Sequence, residues 1–96
     1  MVWTIEIPHK VGKQIKKLPM SAKAVLLLLM RDLESNGPTT GGGWKNYGRL
    51  LGMQGDKRHC HFLKGKPTYV CCWEVMNKQI KIIEVYYVGT HENAPY

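Results

Sequence analysis

The sequence predicts an α+β domain in which two helices pack on one face of a small, mostly antiparallel sheet, in the order β-α-α-β-β-β. Three observations support this fold class. Alternating apolar residues open the chain, two segments with helical periodicity follow, and the last part contains three further alternating segments. The 96 residues are expected to form one domain, residues 1–96, because a chain of this length buries one modest core.

One strand and one short helix are predicted at the start of the chain. Val2 to Ile7 alternates between apolar and polar residues, which is typical of a half-buried strand. Val11, Ile15 and Leu18 follow at helical spacing beside several lysines and predict a helix with a basic outer face. Pro19 is expected to end this helix.

A second helix is predicted from an N-cap at Ser21 to an end near Gly37. Leu27, Leu28 and Met30 lie partly off its main apolar stripe. The helix therefore carries more apolar surface than one contact with the sheet requires. Two explanations are open: the helix is wedged into the core, or its outer face binds a partner protein.

A glycine-rich segment, residues 37–55, is predicted to be a long connection without regular structure. Trp44, Tyr47 and Arg49 interrupt its glycines. These aromatic and cationic groups could stack on nucleobases, or the two aromatic rings could fold back over the core as a lid.

The rest of the chain predicts a three-stranded meander. Its strands cover Lys57 to Leu63, Thr68 to Met76, and Gln79 to Gly89, with turns at residues 64–67 and near Asn77.

Composition narrows the class of function. The net charge of +7 favours a polyanionic partner such as RNA or DNA. Cys60, Cys71 and Cys72 are odd in number and do not form the pattern of a disulfide framework, so a reducing cytoplasm is expected. The longest apolar run, Ala24 to Met30, is far shorter than the roughly 20 residues that cross a bilayer, so no membrane partner is expected.

Histidines provide the candidate chemistry. In a strand, the period of two places His59 and His61 on one face and Cys60 on the other. His91 follows the last predicted strand and could reach the same face. The residues expected to bind RNA phosphate are Arg49, Lys57, Arg58, Lys64 and Lys66.

Such a set of side chains meets the needs of RNA cleavage by transesterification. A base takes the proton of a ribose 2′-hydroxyl, a cation stabilises the phosphate, and an acid protonates the leaving 5′-oxygen. Neither a metal ion nor a cofactor is needed. Two alternatives are a zinc site in which Cys71 or Cys72 joins the histidines, and surface histidines without function, the class to which His9 is assigned.

The strand sequence RHCHF and the ending VGTHENAPY resemble the RelE/ParE superfamily of bacterial and archaeal toxins. The similarity covers essentially the whole chain and is clearest between Leu50 and Tyr96. YafQ-like members have the nearest motifs: a Cys-His pair on a middle strand, here Cys60-His61, and a Gly-Thr-His after the last strand, here Gly89-Thr90-His91.

The resemblance implies the toxin of a type II toxin-antitoxin system, an mRNA endoribonuclease that cuts in the ribosomal A site and leaves a 2′,3′-cyclic phosphate or a 3′-phosphate. It implies that His91 is the main general acid/base and that His61 or His59 is its partner. Tyr96 is implied to orient the nucleotide. The implied partners are a cognate antitoxin, the ribosome and mRNA.

The chain departs from the family pattern at two points. Thr68 rather than an acidic residue comes directly after Pro67, and no arginine follows Arg58. Lys64 or Lys66 is therefore expected to supply the phosphate-binding cation, as a point charge rather than a bidentate group. Two other functions are open: a ParE-like, non-enzymatic inhibitor of DNA gyrase, and a degenerate member that binds RNA without cutting it.

Overall fold

The structure, a computed structural model, describes residues 2–96, and its secondary structure confirms the predicted α+β class. The elements in chain order are β1 (Thr4–Glu6), α1 (His9–Lys16), α2 (Met20–Asn36), β2 (Lys45–Arg49), β3 (Asp56–Leu63), β4 (Tyr69–Asn77), β5 (Ile82–Thr90) and a 3₁₀ turn (His91–Asn93). Neither helix within residues 2–96 is long and apolar enough to cross a membrane.

The five strands described between residues 2 and 96 form one sheet in the order β1-β5-β4-β3-β2. Strands β2 to β5 form an antiparallel meander, and β1 pairs parallel with β5. Both helices contribute buried apolar residues to one core on one face of the sheet, where Trp73 of β4 is fully buried. His59 and His61 of β3 lie on the opposite face.

Strand β2 falls within the segment predicted to be an unstructured connection, so that prediction is wrong. Its sequence, KNYGR, is poor in the residues that favour strands, and Asn46 has a φ of 53°. β2 pairs with β3, with an irregular register between Lys45 and Gly48. Pairing with a distant segment overrides the weak local preference.

Trp44 and Tyr47 fold back over the core, in agreement with the lid alternative. Trp44 Nε1 donates to Asp32 at 2.7 Å, and Tyr47 Oη donates to the Pro38 carbonyl at 3.3 Å. Tyr47 also stacks on Trp73, with ring centroids 6.1 Å apart. These contacts fasten the glycine-rich segment to α2 and β4.

The ends of α2 agree with the sequence at one end only. The helix begins at Met20 with Pro19 as N-cap, and no side chain within residues 2–96 caps it, so the prediction of a Ser21 cap is wrong. Proline already has the φ that the start of a helix needs. At the other end, Gly37 has a φ of 83°, and a Cβ there would lie 2.8 Å from Trp3 Nε1. Both the backbone and the available space require glycine.

The apolar excess of α2 is divided between the core and the surface. Leu29 and Leu33 are fully buried, and Met30 packs against the core. Leu27 and Leu28 are 53% and 60% exposed. The wedged-helix explanation therefore accounts for Met30 but not for the two exposed leucines.

A buried ion pair within β3 also makes a hydrogen bond to β2. Arg58 points to the same face as Cys60 and is 8% exposed. Its Nε and Nη2 donate to the Asp56 carboxylate, each at 2.9 Å, and its Nη1 donates to Tyr47 Oη at 3.1 Å. The predicted phosphate-binding role of Arg58 does not fit this arrangement, because strand alternation turns Arg58 away from His59 and Asp56 occupies its guanidinium.

We expect Asp56→Asn to lower the free energy of unfolding by about 3 kcal/mol at pH 7, because it leaves a buried guanidinium without its counterion. The hydrogen bonds from Arg58 hold the pKa of Asp56 below its ordinary value. The stabilisation is therefore present above the pKa of the unfolded chain and is lost as pH falls through the lower folded-state pKa. Urea denaturation at about pH 7 and at about pH 2 measures the free energy of unfolding with Asp56 ionised and with Asp56 protonated.

The control is Glu34→Gln at an exposed carboxylate of α2, which we expect to change the free energy of unfolding by less than about 0.5 kcal/mol. Wild type and Asp56→Asn should differ at neutral pH and converge in acid. An equal gap at both pH values would contradict the role assigned to the ion pair.

Candidate active site

Three histidines and the C-terminal tyrosine lie together on the face of the sheet opposite the helices. We call His59, His61, His91 and Tyr96 the ring cluster. The ring centroid of His61 lies 5.9 Å from that of His59 and 4.9 Å from that of His91. The Tyr96 centroid lies 4.6 Å from that of His59 and 6.2 Å from that of His91. The four rings form a closed circuit, so the structure brings together all four predicted catalytic side chains.

Strand β3 places two members of the cluster. Its residues alternate in burial: Cys60 is fully buried in the core, whereas His59 and His61 on either side are partly exposed. This confirms the prediction that the two histidines share one face. Because β3 is paired on both sides, by β2 and by β4, the backbone that carries them is held on both edges.

The end of β5 places His91. The strand runs one residue beyond the predicted end at Gly89, and the 3₁₀ turn begins at His91. The His91 N–H donates to the Thr68 carbonyl at 2.8 Å, which ties the turn to the start of β4. Tyr87 Oη donates to the Thr90 carbonyl at 2.7 Å. A Cβ on Gly89 would lie 2.6 Å from that Oη, so the close approach of the tyrosine requires glycine.

The surroundings keep the two strand histidines neutral. Burial lowers the pKa of His59, the hydrogen bond with the Gly48 carbonyl partly opposes this lowering, and the charge of His91 lowers the pKa further. Burial also lowers the pKa of His61, with further lowering by His91, His59 and Lys64. Both imidazoles are therefore unprotonated at pH 7 and able to accept a proton. Burial raises the pKa of Tyr96, so its phenol keeps its proton.

A pocket of about 310 Å³ opens beside His91, between the β3–β4 turn and the 3₁₀ turn. It is lined by Gly65, Lys66, Pro67, Thr68, His91 and Glu92. Lys66 is thus a predicted cation that the structure places at the candidate site, and Lys64 is close enough to His61 to lower its pKa. Glu92, which sequence reasoning did not select, also lines this pocket.

Of the remaining predicted cations, Lys57 lies on the same face of β3 as His59, whereas the two arginines lie away from the histidines. The Lys57 ammonium lies over the Tyr86 ring, 5.5 Å from its centroid. Arg49 lies on β2 with its Nε 3.6 Å from Asp56, in the group that also holds Arg58. Lys64 and Lys66 of the β3–β4 turn therefore lie near the histidines. Both arginines lie next to the carboxylate of Asp56 instead.

Sequence reasoning also missed a backbone contact. Nδ1 of His59 lies 3.2 Å from the carbonyl oxygen of Gly48 in β2. No sequence signal could have revealed this contact, because a backbone carbonyl has no residue type and β2 was not predicted.

The zinc alternative finds no support in the geometry. Within residues 2–96, no three His, Cys, Asp or Glu side chains are arranged so that they could hold a metal ion. Burial raises the pKa of the Cys72 thiol to about 12, and Cys71 is fully buried with its pKa raised as well. Neither sulfur is available as a thiolate at neutral pH.

We expect His91→Asn to raise the pKa of both His59 and His61, because it removes a positive charge that opposes their protonation. Both pKa values should stay below the ordinary value of about 6.5, because burial, the larger cause, is unchanged. NMR titration of the imidazole resonances measures both. His9→Asn on α1 is the matched control and should leave them unchanged. Unshifted values in the His91 variant would contradict the coupling.

Three solved structures resemble this chain across nearly its whole length, whereas no family model and no curated protein matches it. The archaeal RelE-RelB complex from Pyrococcus horikoshii OT3 contains a chain with a TM-score of 0.76 and 21% identity, and the match covers 98% of this chain and 100% of that one. A double arginine-to-alanine mutant of the E. coli toxin RelE in the free state has a TM-score of 0.70 and 16% identity, covering 98% of this chain and 88% of that one.

A metal-bound toxin from Helicobacter pylori is similar as well, with a TM-score of 0.69 and 21% identity. The match covers 96% of this chain and 97% of the H. pylori chain. All three share the arrangement of two helices on a mostly antiparallel sheet. The fold of this chain is therefore that of the RelE toxins.

Proposed function

We propose that this protein is the toxin of a type II toxin-antitoxin system and that it cleaves mRNA on the ribosome, in the cytoplasm. The observation that carries this proposal is the ring cluster. Three imidazoles and a phenol meet in one circuit of centroid distances no longer than 6.2 Å, on the open face of the sheet. The RelE fold and the net charge of +7 are consistent with a toxin that acts on RNA.

The reaction is an internal transesterification of RNA. The ribose 2′-oxygen attacks the adjacent phosphorus while a base takes its proton, and the bond from phosphorus to the 5′-oxygen breaks while an acid protonates that oxygen. The products are a 2′,3′-cyclic phosphate, which water can open to a 3′-phosphate, and a free 5′-hydroxyl. His91 is the main general acid/base, and His61 or His59 is its partner.

The charges and surfaces around the cluster are suited to hold the substrate. Lys66 lines the pocket beside His91, and Lys64 lies on the same turn, where both can attract the phosphate backbone. Tyr96 is 46% exposed while it contacts His59, so its free ring surface is open to stacking on a nucleobase. A nucleotide bound in this way would present its phosphate to the histidines.

We expect His91→Ala to slow cleavage of ribosome-bound mRNA by about 10²- to 10⁴-fold, because it removes a general acid/base. The assay uses purified ribosomes, a defined mRNA and mapping of the cut ends. His9→Ala, which removes a histidine outside the ring cluster, is the control and should cut at the wild-type rate. Undiminished cleavage by His91→Ala would defeat the assignment.

The ends of the products separate the proposal from its rivals. Cyclic phosphate and 5′-hydroxyl ends are expected, whereas 5′-phosphate ends would exclude this chemistry. Intact mRNA together with DNA damage in arrested cells would favour a gyrase inhibitor. RNA binding without cleavage would favour a degenerate member.

A cognate antitoxin is the proposed protein partner. Met20, Leu27 and Leu28 of α2 are 80%, 53% and 60% exposed and lie on one side of the helix. Exposed lysines of the neighbouring helix α1, among them Lys13 and Lys16, add positive charge nearby. An amphipathic, acidic segment would complement this surface. The P. horikoshii neighbour was solved in complex with RelB.

We expect Leu27→Asp to weaken binding of a small acidic protein encoded next to this gene by at least about tenfold, because it places a charge in the apolar part of the interface. Copurification from cells that express both proteins, followed by a titration, measures the effect. Leu51→Asp is the matched control, since Leu51 is 84% exposed but lies outside the helices. Equal binding by both variants would place the antitoxin elsewhere.

A further inference from the structure

Among the residues that the structure describes, the imidazole of His59 is hydrogen-bonded through one ring nitrogen, Nδ1. Nδ1 lies 3.2 Å from the Gly48 carbonyl oxygen. A carbonyl oxygen accepts hydrogen bonds and cannot donate them, so Nδ1 must carry the hydrogen. In a neutral imidazole the other nitrogen, Nε2, then holds a lone pair.

Nε2 of His59 is also accessible. Across residues 2–96 it makes no hydrogen bond to the protein, and the buried side-chain polar atoms without a partner are His61 Nδ1 and Tyr86 Oη. The free nitrogen of His59 is therefore an acceptor that a substrate can reach. Since the ring is neutral at pH 7, this acceptor is available at working pH.

The Gly48 carbonyl, which contacts Nδ1 of His59, is held in place by the sheet. Gly48 and His59 are paired residues of β2 and β3, next to the register irregularity between Lys45 and Gly48. The Gly48 carbonyl is therefore part of the same β2–β3 backbone pairing as the residue whose ring it orients. The group that positions the His59 ring therefore lies on β2, a strand that the sequence did not predict.

The neighbouring ring, that of His61, is expected in the opposite tautomer. Nδ1 of His61 is buried without a partner. Buried N–H groups without a partner are rarer than unpartnered acceptors, so the hydrogen of neutral His61 belongs on Nε2. His59 thus offers an acceptor and His61 a donor. A proton can be taken at the first ring and a phosphate oxygen can be bound at the second.

The order of the rings fits a displacement at phosphorus. His61 neighbours both other imidazoles, with ring centroids 5.9 Å from His59 and 4.9 Å from His91. A phosphate bound over His61 would have His59 on one side and the exposed His91 on the other. The attacking and leaving oxygens of an in-line reaction also lie on opposite sides of phosphorus.

We propose that the Gly48 carbonyl holds His59 in its Nδ1–H tautomer, which makes His59 Nε2 the general base for the ribose 2′-hydroxyl and leaves His91 as the acid for the 5′-oxygen. This assignment rests on the proposed nuclease function and deepens it. Gly48 acts only through His59, as a positioning group, whereas His59 touches the reacting hydroxyl.

The tautomer is tested without any activity. Long-range ¹H–¹⁵N correlation of the ¹⁵N-labelled protein at about pH 8, where the rings of His59 and His61 are neutral, distinguishes a protonated from an unprotonated ring nitrogen. We expect His59 to show a protonated Nδ1 and an unprotonated Nε2, and His61 to show the reverse. A protonated Nε2 on His59 would overturn the proposal whether or not the protein cuts RNA.

The base role is tested with two variants. His59→Asn can place an amide N–H where Nδ1 stood and keep the bond to Gly48, whereas His59→Gln places its amide near Nε2. Neither has a base, so both should cleave ribosome-bound mRNA at least about 10²-fold more slowly than wild type and lose the acidic limb of the pH-rate profile. We expect His59→Asn to unfold at a urea concentration closer to that of wild type.

The outcomes are distinct. Full cleavage by a folded His59→Asn would reduce His59 to a structural residue and overturn its assignment as base. Loss of activity with an unchanged acidic limb would place the base elsewhere, and the assignment would again fail. If wild type cuts no mRNA, the proposed function fails and the base role with it, while the NMR experiment still decides the tautomer.

Discussion

The register of β3 is the constraint on which the rest of the structure depends. Successive side chains of this strand point to opposite faces: Arg58 and Cys60 to the helix-covered face, and His59 and His61 to the open one. A slip of one residue would bury two imidazoles and expose a cysteine and a paired arginine. The core and the candidate site are therefore two consequences of a single pairing, and neither can change without the other.

The same strand explains why the net charge does not map directly onto function. An arginine next to these histidines in sequence would be expected to bind phosphate with them. Arg58 is instead 8% exposed, and its guanidinium donates hydrogen bonds to Asp56 and Tyr47. That arrangement anchors β2, and β2 in turn presents the carbonyl that contacts His59. The arginine thus contributes to the site through the backbone that it stabilises, while the exposed lysines of the β3–β4 turn remain free for phosphate.

The cluster also depends on how the chain ends. The His91 N–H is bonded to the Thr68 carbonyl, so the last turn is tied to the start of β4 and to the lysine-bearing turn before it. The tyrosine packing at Gly89 fixes the direction in which the chain leaves β5. Tyr96 then reaches back to His59. Three segments far apart in sequence meet because two tight contacts direct the terminus across the open face.

Local patterns in the sequence determined the α+β class, both helices, four of the strands and the shared face of His59 and His61. They could do so because side chains on one face recur every 3.6 residues in a helix and every 2 residues in a strand. They also selected the three histidines of the ring cluster, whereas Tyr96 was selected by the resemblance to known toxins. Only the tertiary structure decided the existence of β2, the orientation of Arg58 toward Asp56, the start of α2 at Met20, and the contact between Gly48 and His59. The existence of β2 and the contact between Gly48 and His59 depend on pairing between segments that are distant in sequence. Asp56 and Arg58 are only two residues apart, but their pairing matters because packing of the helices and of Tyr47 buries that face of β3.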